Sequence, residues 1–346
     1  MVRLPGVTQQ RMTKDEFYDQ ASKLDEEALR KALWTLYWRG SAPMRERIEA
    51  QLDPQQEARK RKQAQQPPDP ETVLAHVREF VDLAYAGAYL GRDRRVTPKE
   101  RSRWRYTFRE LAKDATSALL APDVPTAALA VELLVDLASV TRGYDLFRSE
   151  DAMQAAGFVV SDAVEQLWTR TWDHGGFPAF AEDAARQLIE WESPYGWTRF
   201  GLGSVAEKET SLTKVLDGLL TVPDHWETLG VHYLQALNAA AQDDQETTTR
   251  RGVIEREARD RADRLADWHE RLFDQLQHTE SAGLLEQIAT HPALAGAERT
   301  YLQAVLAHRR GEAERARELI DACLREMPGH EGFKEASRQF GSATPG

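Results

Sequence analysis

The sequence predicts an all-α protein. Helix start signals recur along its whole length, and the apolar residues between them repeat at three- and four-residue spacing. No apolar run reads as a strand: Phe158-Val159-Val160 is too short and reads as the buried start of a helix. Helices of roughly 12–20 residues joined by short turns predict stacked antiparallel hairpins in an α-solenoid-like row.

The first elements form an N-terminal arm, residues 1–52. Thr13 and Glu16 make a capping box ahead of Phe17, Ala21 and Leu24. Leu29, Leu33, Leu36 and Tyr37 continue the apolar stripe until Gly40, and Pro43 starts another helix. Residues 53–70 then read as a linker, with four consecutive basic residues, five glutamines, four prolines and no large apolar side chain.

A central helical domain is expected over 71–222. Asp69-Pro70 starts a helix carrying Val73, Leu74, Val77, Phe80, Val81 and Tyr85, and Thr97-Pro98-Lys99-Glu100 starts a longer one to about Leu120. Asp123 and Pro125 open the most apolar helix, Ala127 to Val140. Glu132 and Asp136 interrupt it, so it reads as a core helix and not a membrane span. Further helices are expected near 161–172, 178–192, 205–220, 224–242, 248–277, 280–289, 297–310, 313–327 and 331–339. An LWTxxW pattern occurs at Leu33–Trp38 and again at Leu167–Trp172, a weak echo of a repeated unit.

Length and charge bound the function. The 346 residues exceed the roughly 250–300 at which one hydrophobic core stops growing. A hydrophobic share of 41% excludes wholesale disorder, and a net charge of −11 excludes blanket coating of nucleic acid or anionic membrane. One cysteine, Cys323, rules out an internal disulfide and a thiolate zinc site. With no secretory signal pattern at the N-terminus, a cytoplasmic location is expected, without membrane contact.

Residues 223–346 hold the one resemblance. Tyr301 to Pro328 resembles a tetratricopeptide repeat: Ala304 is small where two helices approach, Gly311 makes the turn, Ala316 packs back, Ile320 and Cys323 face inward, and Pro328 ends the second helix. Thr300 and Gln303 stand where the family has large residues, so the unit is degenerate. Trp226-Glu-Thr-Leu229-Gly230-Val-His-Tyr233 matches half of the same signature, while Gln242 and an acidic turn to Glu246 depart from it. The resemblance implies helical hairpins, a terminal cap at 331–340 and a protein-binding module without catalysis.

Two stretches are candidate sites. Between Arg92 and Arg109, eight basic residues face only Asp93 and Glu100, a local charge of +6. Arg92, Arg94, Arg95, Arg101, Arg103 and Arg105, with Trp104, compose a candidate anion or nucleic-acid patch. The alternative is a solvated charge run in which Trp104 and Phe108, at i and i+4, are core. The second stretch, Ser193 to Gly203, combines glycines with Tyr195, Trp197, Arg199 and Phe200, which either pack over the domain or are partner-binding residues on a loop.

Catalytic signatures are missing. The sequence has no nucleophile elbow, no phosphate-binding glycine-lysine loop and no H-E-x-x-H, and Glu190 and Glu192 lie on different helical faces. His225 and His232, seven apart, read as structural histidines more than as metal ligands. Neither metal nor cofactor is expected. The favoured expectation is a scaffold holding a partner peptide or helix in a helical groove. The alternatives are a nucleic-acid-associated protein using 92–109 and an enzyme sited at 193–203.

Overall fold

The computed structural model describes residues 12–52, 66–91, 95–248, 250–276 and 282–342. Among these residues every regular element is helical, with sixteen α-helices and no strand. The fold is all-α. The chain divides into two compact units between Gln66 and Pro67. Residues 53–65 of the expected linker lie outside the described residues.

Unit 1 holds α1 (Lys14–Ala21), α2 (Glu26–Arg39) and α3 (Ala42–Leu52). The capping box forms as its sequence dictates: Glu16 N donates to Thr13 Oγ1 and Thr13 N to Glu16 Oε2. Asp25 accepts from Ala28 N at 2.7 Å and starts α2. A Tyr37 hydroxyl bond to Glu49 Oε1 at 2.7 Å ties α2 to α3. Neither α1 nor α2 contains a buried residue, so the apolar stripe of the arm lies open.

Unit 2 begins with α4 (Pro70–Tyr85), α5 (Pro98–Ala118) and α6 (Val124–Thr141), started by Asp69, the Thr97–Glu100 capping box and Asp123. They pack on one another, and α5 and α6 pack against α8 (Val160–Trp191), which the short α7 (Ala152–Ala156) precedes. Gly176, at φ 76°, breaks α8, and Pro178 restarts it, giving the two expected helices end to end. α6 is long and apolar enough to cross a bilayer, with half of its residues buried. Its two carboxylates face α8: Glu132 accepts from Gln187 Nε2 at 2.6 Å and Asp136 from Trp191 Nε1 at 2.7 Å.

The chain continues through α9 (Leu212–Leu219), α10 (Pro223–Thr247), α11 (Arg251–Arg264), α12 (Ala266–Gln275), α13 (Ala282–Ala289), α14 (Gly296–Arg309), α15 (Ala313–Glu326) and α16 (Glu331–Ser342). One buried cluster runs from Val73 to Leu306, and a second, Ala297 to Phe340, joins the last three helices. α14 and α15 meet through a three-residue turn with Gly311 at φ 76°, so they pack antiparallel, and Ala304 and Ala316 are both fully buried.

Three elements differ from expectation. The helix expected over 205–220 starts only at Leu212, because Glu209 is drawn away to the start of α8 and Ser211 becomes the cap. The helix expected over 248–277 is two, α11 and α12, broken at Leu265 (φ −97°, ψ 12°). The break turns Trp268, Leu272 and Phe273 into the core. The acidic turn expected at 242–246 is helical. There Asp244 receives both guanidinium nitrogens of the buried Arg261 at 3.0 Å.

Candidate functional site

The segment from Glu192 to Ser211 joins α8 to α9 and is stapled at its two ends by carboxylates, the buried Glu192 and the half-buried Glu209. Glu192 accepts from Ser193 N at 2.8 Å, and from Thr213 N and Oγ1 at 2.9 and 3.2 Å, which anchors the start of α9. Glu209 accepts from Val160 N, Ser161 N and Ser161 Oγ at 2.8–3.0 Å and caps α8. Negative charge at a helix N-terminus is favourable because the first N–H groups have no partner within the helix. Burial nevertheless raises the affinity of both carboxyls for a proton.

Arg199 holds the middle of the loop. Its backbone N donates to Asp151 Oδ2 at 2.8 Å and its guanidinium to Asp145 Oδ1 at 2.8 Å. The same side chain reaches the Thr141 and Arg142 carbonyls at the C-terminus of α6, where a cation suits the helix dipole. Trp197 is 1% exposed, and its indole N–H has no partner. Of the four residues expected to meet a partner, Trp197 and Arg199 are therefore fasteners of the loop. Tyr195 (79% exposed) and Phe200 (60%) stand on its surface.

Beneath the loop lies a cavity of about 650 Å³ bounded by Arg142, Ser193, Thr198, Thr210, Lys214 and Asp267, among others. Arg142 donates to Ser193 Oγ, and Ser193 Oγ to Gly196 O at 2.7 Å. Thr198 Oγ1 is buried without a partner. No histidine or cysteine lines this cavity, and Glu209 is fully engaged by α8. The arrangement offers hydroxyls and cations to a ligand and no paired nucleophile and base.

The arginine patch divides. Arg92 and Arg94 lie outside the described residues, while Arg95, Arg103 and Arg105 are exposed. Trp104 is buried and stacks on Phe147 with ring centroids 4.2 Å apart, so it is not a platform for bases. It shares the buried face of α5 with Phe108. Arg101 and Arg105 border a cavity of about 380 Å³ that is completed by Arg148, far along the chain. Neither spacing nor composition pointed to Arg148, and the same holds for the stapling roles of Glu192 and Glu209.

The histidine pair separates into two settings. The His225 ring stacks on Phe177, 4.0 Å between centroids, and His232 lines a groove of about 700 Å³ between α8 and α10. Among the described residues no three His, Cys, Asp or Glu side chains gather as a metal site. Cys323 is buried, its thiol pushed up to about 12 by burial.

No protein-family model, curated protein sequence or solved structure matches this chain.

Proposed function

We propose that this protein is an interaction scaffold whose N-terminal hairpin docks against amphipathic helices of a partner protein. One observation carries the reading. The arm has the pattern of core-forming helices, yet Ile48 is its one buried apolar residue among those described: Trp38 is 71% exposed, Trp34 59%, and Phe17, Tyr18, Leu29 and Leu36 are exposed with them. Trp34 stacks between Tyr37 and Trp38, a ready-made aromatic face. Helices of 8 to 14 residues are marginal alone in water, and contiguous exposed aromatic surface marks an interaction site. Partner helices laid on that face complete a bundle and supply the missing burial.

The helical hairpins of unit 2, with the tetratricopeptide-like pair α14–α15, form the rigid, solenoid-like body in this reading. The groove between α8 and α10 supports it, with an apolar floor of Ile189, Ala236 and Ala240 and a charged rim of Asp183, Arg186 and Glu190. That is a suitable trough for a second helix.

The test is a photo-crosslinking residue placed at Trp38 or, as a control, at the exposed Tyr144 of unit 2. The expected outcome is that position 38 joins the chain to one defined helical partner in native lysate and position 144 does not. Light scattering of the purified chain should give the monomer mass. A dimer with crosslinks between copies replaces the partner by a second copy, and crosslinks confined to one chain overturn the reading.

A further inference from the structure

We infer that the cavity at the start of α5 binds a compact phosphomonoester group on a small ligand. This goes beyond the scaffold reading and does not rest on it. Three arginines converge there from two parts of the chain: Arg101 and Arg105, one turn apart on α5, and Arg148 from the segment leading to α7. None of the residues bounding the cavity is acidic. The Arg101 Nε is buried without a hydrogen-bond partner, and none of the three has a carboxylate partner among the described residues.

Two carboxylates close in sequence to the lining residues are engaged by backbone N–H groups. Asp151 accepts from the backbone N–H groups of Gln154 and Arg199 at 3.1 and 2.8 Å, and Glu100 accepts from Thr97 N at 2.8 Å. Three arginines around a cavity with no acidic lining residue set up a positive potential that attracts an anion. Arg101 lies over Gly91 (φ 91°), where a Cβ would meet its Nη1 at 2.6 Å.

Size and shape select the ligand. A cavity of about 380 Å³ is at the small end of ligand sites, which run from roughly 300 to 1,000 Å³. Ser102 and Ser149 border the cavity with their hydroxyls donating to Lys99 O and Asp151 O at 2.7 and 2.9 Å, which leaves the arginines as its donors, while Pro98 and Ala155 give an apolar wall for a small body behind the anionic head. The forked donors of arginine match the tetrahedral oxygens of a phosphomonoester. Nucleic acid fits less well, because Trp104 is committed to Phe147 and the exposed Tyr106 is covered by Arg105, 4.9 Å from its ring centre.

Calorimetric titration of the full chain with inorganic phosphate and with glycerol 3-phosphate, at constant ionic strength, tests this. Saturable binding is expected, tighter for glycerol 3-phosphate than for inorganic phosphate, with chloride ineffective. Arg105→Gln and Arg148→Gln should each weaken it about tenfold or more, the loss of a charge-assisted hydrogen bond. Arg103→Gln, an exposed arginine outside the cavity, should leave affinity within about twofold, since it makes no such bond. Circular dichroism checks that the variants fold, and both tested arginines are exposed. Three results overturn the proposal: no saturable binding by the wild type at millimolar ligand, equal weakening by Arg103→Gln, or affinity that grows with the length of a single-stranded oligonucleotide. The last would make the patch a nucleic-acid backbone contact.

Discussion

The hydroxyl of Tyr233 and the Nε2 of His269 lie 2.7 Å apart in the core of unit 2, with both rings buried. Burial drives the imidazole down from 6.5 to about 3 and the phenol upward, and His269 Nδ1 has no partner. The ring is neutral in the folded protein, while an unfolded chain takes up the proton near pH 6.5. Between these values the unfolded state binds more protons, so stability falls as pH drops through 6.5 towards 3. In urea denaturation the stability of the wild type relative to His269→Gln should fall as pH is lowered from 7.5 to 4.5, since the variant lacks this contribution. A variant as pH-dependent as the wild type refutes the assignment.

Glu298 is expected to act in the opposite sense. Burial, with Asp263, Glu270 and Asp267 nearby, raises its carboxyl to about 7, and His330 Nε2 lies 3.7 Å from its Oε1. The folded state keeps the proton to higher pH than the unfolded state, so this contribution is present at acid pH and lost as pH rises through 7. Glu298→Gln should therefore stabilise the protein at pH 8, by on the order of 3 kcal/mol. The advantage should vanish near pH 4.5. An equal effect at both pH values would show that the carboxyl titrates normally.

Gln187 links two helices through two short bonds, accepting from Trp168 Nε1 at 2.6 Å and donating to Glu132 Oε1 at 2.6 Å. Gln187→Leu keeps the volume but strands the indole N–H and leaves Glu132 with Arg186 alone, 3.5 Å away. A loss of about 2–4 kcal/mol is expected in chemical denaturation followed by intrinsic tryptophan fluorescence. A loss under about 0.5 kcal/mol would mean that the chain of bonds contributes little.

Glu209→Ala removes the cap of α8 from a residue that lies on the far side of the loop. Amide exchange should accelerate at Val160 and Ser161, and with them through 204–211, while α4 and α5 stay protected. Exchange confined to the two capped amides would show that the loop is held by Arg199 and Glu192 without this carboxylate.

The cysteine gives a chemical check on the C-terminal hairpin. With its sulfur buried 3.4 Å from Ala297 O and its thiol raised to about 12, Cys323 should resist a thiol reagent at pH 8 until α14 and α15 separate. Its reaction should follow the urea transition. Rapid labelling in native buffer contradicts the packing.

Starts and stops of helices were legible in the residues themselves. Thr13 with Glu16, Thr97 with Glu100, and Asp123 before Pro125 act over three or four positions, so nothing distant is needed to form them. The all-α class and the breaks near Gly176 and Gly311 follow from the same local rules. Which side chains meet was decided only when the helices assembled. The repeated LWTxxW pattern puts Trp168 in the core but leaves Trp34 and Trp38 open, and one loop sends Trp197 inward and Tyr195 outward. Glu209 abandons its expected helix for an N-terminus 48 and 49 positions away in the chain, and Arg148 joins two arginines that no spacing connects to it. Capping depends on neighbours along the backbone, whereas burial and charge pairing depend on the element that arrives opposite, and that is set by the packing of the whole core.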